Sequence, residues 1–195
     1  MAVVYCLHGA DVVLVLYFPR EVWKMSSGYM IKKSVVSTSL LALGVSFDLL
    51  SRYSQDMKDE IADWDEGMKV CLGVLPDGPY IAIQKSGDRL KYLGKGHHDA
   101  RLKILFKNMD SALMMLTGQM GAHTGFAQHR AIVHGSIGEA MMANRAMALV
   151  TKFLFPGFML GGITKRKPEM SGDDYVAYAK FMAVLTPMLI LNAAK

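Results

Sequence analysis

At Met68 the spacing of apolar residues changes period, and that change limits the possible folds more than any other feature of the chain. Upstream, Val36, Leu40, Leu43, Phe47 and Leu50 recur at three- and four-residue steps, which predicts a helix over 35–53 with one buried face. Downstream, Met68, Val70, Leu72 and Val74 alternate with Lys69, Cys71, Gly73 and Leu75, the pattern of a strand. The turn residues Pro76-Asp77-Gly78-Pro79 follow, then a second strand over Tyr80–Lys85. The loop Ser86-Gly87-Asp88 and a third strand over Arg89–Leu93 complete an antiparallel meander. A fourth strand places Leu102, Ile104 and Phe106 on one side and Arg101, Lys103 and Lys107 on the other. Such a sheet has one face under helices and one partly wet.

The helical period then returns. A methionine-rich helix over Met109–Thr117 is capped by Asn108 or Asp110, and a glycine-bounded loop, Gly118–Gly125, leads to a fifth strand over Arg130–His134. Ser136 and Glu139 have the spacing of a capping box, in which Ser accepts from a helix N–H and Glu reaches back. The helix behind them runs to about Phe155 and stops before Pro156-Gly157. Ahead of the meander, Val12–Phe18 reads as a strand or as the start of a buried helix, because a short apolar run fits both. Pro19 suits the start of a helix over Arg20–Lys33, and Asp56–Glu66 reads as a short acidic helix ended by Gly67. Lys165-Arg166-Lys167 and Pro168 mark a linker. Asp173 and Asp174 then sit where the positive end of a helix dipole favours them, opening a last helix over Tyr175–Leu191 with a kink at Pro187. The fold class is therefore α+β: a five-stranded, mostly antiparallel sheet covered by helices. A chain of 195 residues suits one domain. Within it, 1–60 reads as a helical extension packed on the core, 61–157 as the core and 158–195 as a linker and helix.

The 52% hydrophobic content allows a sizeable core, and sixteen methionines are many for this length. They cluster at Met109, Met114, Met115 and Met120, and again at Met141, Met142 and Met147. Met is unbranched and polarizable, so these clusters fill irregular core or line an adaptable ligand surface. Cys6 and Cys71 lack metal spacing, imply no disulfide framework and fit a reducing, cytoplasmic setting. The run Val12–Phe18 is too short to span a bilayer, and the N-terminus lacks a basic leader. Charge is uneven: residues 1–67 hold six Lys/Arg against nine Asp/Glu, whereas 85–107 hold seven basic residues against Asp88 and Asp99. The basic sheet face could make transient contact with an anionic membrane, or simply be solvated. Nucleic acid is not an expected partner, since a recognition motif and interleaved aromatics are both missing.

Catalytic chemistry finds little footing. His97-His98-Asp99 has no third ligand at a standard metal spacing. Gly94-x-Gly96 lacks the third glycine and the helix that phosphate binding needs. Gly135-Ser136 is a helix cap rather than a nucleophile elbow. His123, His129 and His134 fall near the glycine-bounded loop and read as solvent-facing. No cofactor, no metal and no enzyme activity is expected.

From Leu102 to Met141 the sequence resembles the sterol carrier protein family, the sterol- or lipid-transfer domain, in its bacterial form with extra N-terminal helices. The resemblance is carried by the strand Leu102–Lys107, by Ser111-Ala112-Leu113, by Thr117-Gly118-Gln119-Met120, and by Phe126-Ala127-Gln128-His129-Arg130 running through Gly135 to Ala140-Met141. It covers roughly 60–155. His129 stands where the family usually has Gly, and Gln119 where Lys is common. The resemblance implies helices over a five-stranded sheet with an apolar tunnel between them. It also implies non-catalytic binding of a fatty acyl chain, sterol or related lipid. The walls expected for such a tunnel are Phe106, Leu113, Leu116, Met120, Phe126, Ile137, Met141, Met142 and Leu149, with Gln128 meeting a headgroup. Plain core filling is the competing reading for each. An accessory protein presenting a hydrophobic, quinone-like intermediate to an enzyme is the alternative function, and the apolar terminal helices leave a homodimer open.

Overall fold

A computed structural model describes residues 4–8, 11–15, 28–96 and 99–154, with single helical positions at 183 and 187. The elements in chain order are β1 (Val4–His8), β2 (Asp11–Val15), α1 (Tyr29–Tyr53), α2 (Gln55–Ala62), β3 (Lys69–Val74), β4 (Tyr80–Ser86), β5 (Arg89–Lys95) and β6 (Leu102–Phe106). After them come α3 (Met109–Leu116), α4 (Ala122–Ala127), β7 (Ala131–His134) and α5 (Ile137–Leu154). The final helix expected over Tyr175–Leu191, the linker before it and the His97-His98 pair lie outside the described residues.

β1 and β2 pair antiparallel in a two-stranded sheet of their own, which resolves the Val12 run as strand rather than helix. The second sheet has the order β5-β4-β3-β6-β7. All its neighbours are antiparallel except the central pair β3 and β6, which run parallel with Val70 beside Leu102 and Leu72 beside Ile104. The α+β class and the five-stranded, mostly antiparallel sheet under helices are those read from the sequence.

α1 buries Val36, Leu40, Leu43, Phe47 and Leu50, the five positions its period marks. By length and composition it could cross a membrane, but 61% of its most apolar window is buried, as in the core helix of a globular domain. It lies across β4 and β5 and also meets α2, α3 and α5. Close approach to β5 depends on Gly44, where an added Cβ would stand 2.7 Å from the Tyr92 ring. Ser51 fixes the register of that contact: its hydroxyl donates to the Asp48 carbonyl and accepts from the Leu90 amide at 3.1 Å. α1 thus packs against the sheet and three other helices.

β3, β4 and β6 send Val70, Leu72, Val74, Ile81, Ile83, Leu102, Ile104 and Phe106 into the helical layer, where they meet Met57, Ile61, Ala146, Val150 and Phe153. The helix read over Asp56–Glu66 ends at Ala62, and Gly67, at φ +77°, turns the chain toward β3.

The opposite sheet face, expected to be partly wet, is buried at its centre, where Cys71 and Ala82 are 0% and Leu105 7% exposed, and its charged residues lie around that centre. Lys69, Gln84 and Lys91 form one row across β3, β4 and β5, while Lys103 stands beside Cys71 on one side and His134 on the other. Members of the expected basic face are elsewhere, among them Lys95, which pairs with the core-side Ile81. Lys85 shares the core side with Ile81 and Ile83, is 6% exposed and donates its ammonium to the Ile61 carbonyl at the end of α2. A cation there satisfies a helix C-terminal carbonyl and complements the dipole. Arg101 is committed to Asp65 and Glu139.

Candidate functional site: an apolar seam over β6 and β7

Phe106 and Ile104 on β6 pair with Ala131 and Val133 on β7 along a candidate seam, and all but Val133 are buried. α3 stands at its upper side. Asn108 Oδ1 caps that helix by accepting from the Ser111 amide at 2.8 Å, and Lys32 of α1 ties to Asp110 in its first turn at 2.7 Å. Ala112 and Leu113 are buried in the core, whereas Met114, Met115 and Leu116 in the last turn are half-buried.

The segment read as a glycine-bounded loop contains the short helix α4. Six residues with a central glycine carry no apolar period to reveal it. Gly125 is there because Met115 lies against it: an added Cβ would stand 2.4 Å from the Met115 sulfur. Phe126, one residue on, is half-buried against the core. The chain then folds back through His129, at φ +53°, and Arg130, whose guanidinium reaches Gln128 Oε1 at 2.8 Å and Met114 Sδ at 3.8 Å.

α5 closes the layer with Ala143, Ala146, Val150 and Phe153 inward. Its two flanks differ. Met142 and Leu149, seven residues apart, share the flank toward α2, and Leu149 lines an open groove of ≈ 540 Å³ with Asp56, Asp59, Glu60, Arg145 and Ala148. Arg145 bonds Glu60 across that groove at 2.7 Å. The opposite flank carries Ala140, Met147 and Leu154, all half-buried against the core.

The expected wall residues are therefore not one lining. Phe106 and Leu113 are interior core, Leu116 and Phe126 stand at the seam, and Met120 is half-buried just after α3. Met142 and Leu149 lie across the width of α5 from the seam. Ile137 and Met141 are 82% and 57% exposed, because the buried stripe of α5 runs through Glu139 and Ala143 instead. Gln128 is exposed and its amide oxygen is held by Arg130. His123, His129 and His134 are exposed, as read. Met115 and Met147, from the two methionine clusters, are half-buried against the core, as are Val133, Ala140 and Leu154, which the sequence reading did not single out. The i, i+7, i+14 spacing of Ala140, Met147 and Leu154 was their available signal.

Buried polar groups of the fold are tied into it. Glu139 accepts an ion pair from Arg101 rather than closing the expected capping box on Ser136. Burial pushes the Tyr92 hydroxyl above the usual phenol range. It also raises the Cys71 thiol, partly offset by the Lys103 ammonium beside it. A thiol shifted in that direction is a weak nucleophile at neutral pH.

No family model matches the chain, and no curated protein matches it. Two solved structures are similar to it in fold. One is described as "UbiJ-SCP2 Ubiquinone synthesis protein": it is 15% identical, with a TM-score of 0.42, and the match covers 57% of this chain and 96% of that one. The other is the solution structure of a conserved hypothetical protein from Thermus thermophilus, described as possibly a sterol carrier protein. It is 14% identical, with a TM-score of 0.44, and the match covers 66% of this chain and 91% of that one.

Proposed function

We propose that this protein is a non-catalytic, cytoplasmic binder or carrier of a hydrophobic ligand, a fatty acyl chain, sterol or similar lipid, held in the seam over β6 and β7. One observation supports this above others. Met115, Leu116, Phe126, Val133, Ala140, Met147 and Leu154 are half-buried and pack against the edge of the core. Apolar surface left partly wet at the edge of a core is stabilised by any apolar molecule that covers it, at roughly 0.8 kcal/mol per CH₂ buried. Two of these side chains are methionines, which re-pack around differently shaped ligands at little cost. The binding needs no specific polar contact, which suits a lining without a free charged group.

Displacement of a fluorescent fatty acid tests the reading. Uptake by the native chain, lost in Phe126→Asp and kept in Met141→Asp, supports it. Equal affinity in all three overturns the placement at the seam.

Exposed Ile137 and Met141 at the start of α5 favour a second reading, in which the bound molecule, of quinone-like chemistry, is presented to an enzyme docked there. A stable enzyme partner lost on Ile137→Asp would select it over free transfer.

A further inference from the structure

We propose, building on the seam as the ligand site, that Arg130 receives the polar end of the ligand and selects a chain whose head is an anion, a carboxylate or a phosphate monoester.

Arg130 is half-buried just before β7, at the corner where α3, α4 and β7 meet. Its amide donates to the Gly125 carbonyl of α4 at 2.8 Å, and its carbonyl accepts from the Lys107 amide just after β6 at 2.9 Å. Its side chain reaches α3, where Nη1 lies 3.8 Å from Met114 Sδ. Met114 precedes Met115 and Leu116, and Gly125 precedes Phe126, so the guanidinium stands at one end of the half-buried apolar stretch. The stretch itself is uncharged, and Arg130 lies just beyond it.

The partners of this cation are all neutral. Nε donates to the Gln128 amide oxygen at 2.8 Å, and a thioether sulfur is a weak acceptor. A guanidinium carries five N–H donors in a planar fork. Among the described residues none accepts from Nη2, and no carboxylate pairs with Arg130. The nearest acids along the chain are engaged elsewhere. Asp and Glu are both missing from Ser111 through Gly138. Asp110 ahead of that stretch bonds Lys32, and Glu139 after it bonds Arg101.

A guanidinium partly withdrawn from water gains most from a group that brings two oxygens into the plane of its fork. A carboxylate and a phosphate monoester both do so, whereas a sterol or alcohol offers one neutral hydroxyl. The tail of such a ligand then runs over the adjoining apolar surface. Gln128 takes a different part from the headgroup contact expected of it. It is exposed, its oxygen is occupied, and it aims the guanidinium as a positioning residue.

Competition for a fluorescent acyl probe by laurate, dodecyl phosphate and dodecanol, which share one tail, tests the proposal on the full chain. The native chain should bind at least one of the anions about tenfold more tightly than the alcohol. Preference for laurate alone assigns a free fatty acid, and preference for dodecyl phosphate alone assigns a phosphorylated lipid head. Arg130→Gln should abolish the preference while dodecanol binding stays within about twofold. Arg130→Lys keeps the charge without the fork and should retain part of it. Gln128→Leu should reduce the preference and leave dodecanol unchanged. Lys107→Gln, at an exposed neighbouring position, should alter the ratio by less than about twofold. Dodecanol bound as tightly as both anions overturns the role of Arg130 and leaves the seam standing. So does a ratio that Lys107→Gln lowers as much as Arg130→Gln. Failure of all three to compete overturns the seam and this role together. If near-UV circular dichroism shows Arg130→Gln unfolded, the same ratio in Arg130→Lys and Gln128→Leu decides the matter.

Discussion

Arg101 Nη2 lies 2.5 Å from Glu139 Oε1, joining the residue before β6 to the first turn of α5. The same guanidinium reaches Asp65 Oδ2 at 2.9 Å, so one side chain ties the α2–β3 loop, β6 and α5 together. Glu139 is 7% exposed at its side chain and Arg101 is 61% exposed, so the carboxylate is the member that suffers if the pair is broken. Arg101→Met should lower stability by about 1–3 kcal/mol, the usual penalty for a buried polar group left without its partner. Arg101→Met with Glu139→Gln should recover part of that loss. Urea unfolding of the two variants measures both, and an unchanged midpoint in the single variant would show that the ion pair contributes nothing.

Gly44 against Tyr92 sets how closely α1 lies on β5. Gly44→Val should cost about 1–3 kcal/mol through overpacking, and Tyr92→Leu in the same chain should relieve some of it. A thermal melt in which Gly44→Val gains stability would mean that the ring yields freely.

The seam and the two exposed methionine-region positions should separate cleanly. Met115→Asp and Phe126→Asp are expected to reduce ligand uptake at least tenfold, since each places a charge on surface that a ligand must cover, at a cost above about 1.4 kcal/mol. Ile137→Asp and Met141→Asp, at exposed positions, should leave uptake within about twofold. Titration with a fluorescent acyl chain reads both pairs.

Much of this was legible in advance, and the reasons are particular. The face of α1 is visible because Val36, Leu40, Leu43, Phe47 and Leu50 repeat at the helical period. The meander is visible because tight turns and two-residue alternation coincide. Lys85 could have been placed as well: it continues the core-side series Ile81, Ile83, and parity outranks charge at a strand end next to a helix terminus. The parallel pairing of β3 with β6 was hidden, since alternation says which side a residue faces but not which strand lies beside it. The candidate site was only half legible. Leu116 and Phe126 are half-buried at the core edge, whereas Met142 and Leu149, expected in the same lining as Phe106, fall on the flank of α5 toward α2. Exposed Ile137 and Met141 are apolar residues that the period of α5 leaves outside its buried stripe.

Alkaline pH should weaken the fold. Burial raises the Cys71 thiol and the Tyr92 hydroxyl above their usual ranges, so the folded state holds those protons more tightly than the unfolded chain does. Their contribution is complete below the unfolded values, near 8.5 for Cys and 10 for Tyr, and is lost as pH rises through the folded ones. Stability by urea unfolding should thus fall above about pH 8.5. Cys71→Ala should blunt the first part of that fall, and an identical pH profile in the variant would remove the thiol from the account.

Native mass spectrometry of the purified full chain, followed by organic extraction and identification of what is released, tests the central claim most directly. A bound acyl chain, sterol or related lipid, lost from Phe126→Asp and retained by Met141→Asp, is the predicted result. A bare polypeptide mass that takes up no added fatty acid or sterol would contradict it, and would leave the seam as ordinary core edge.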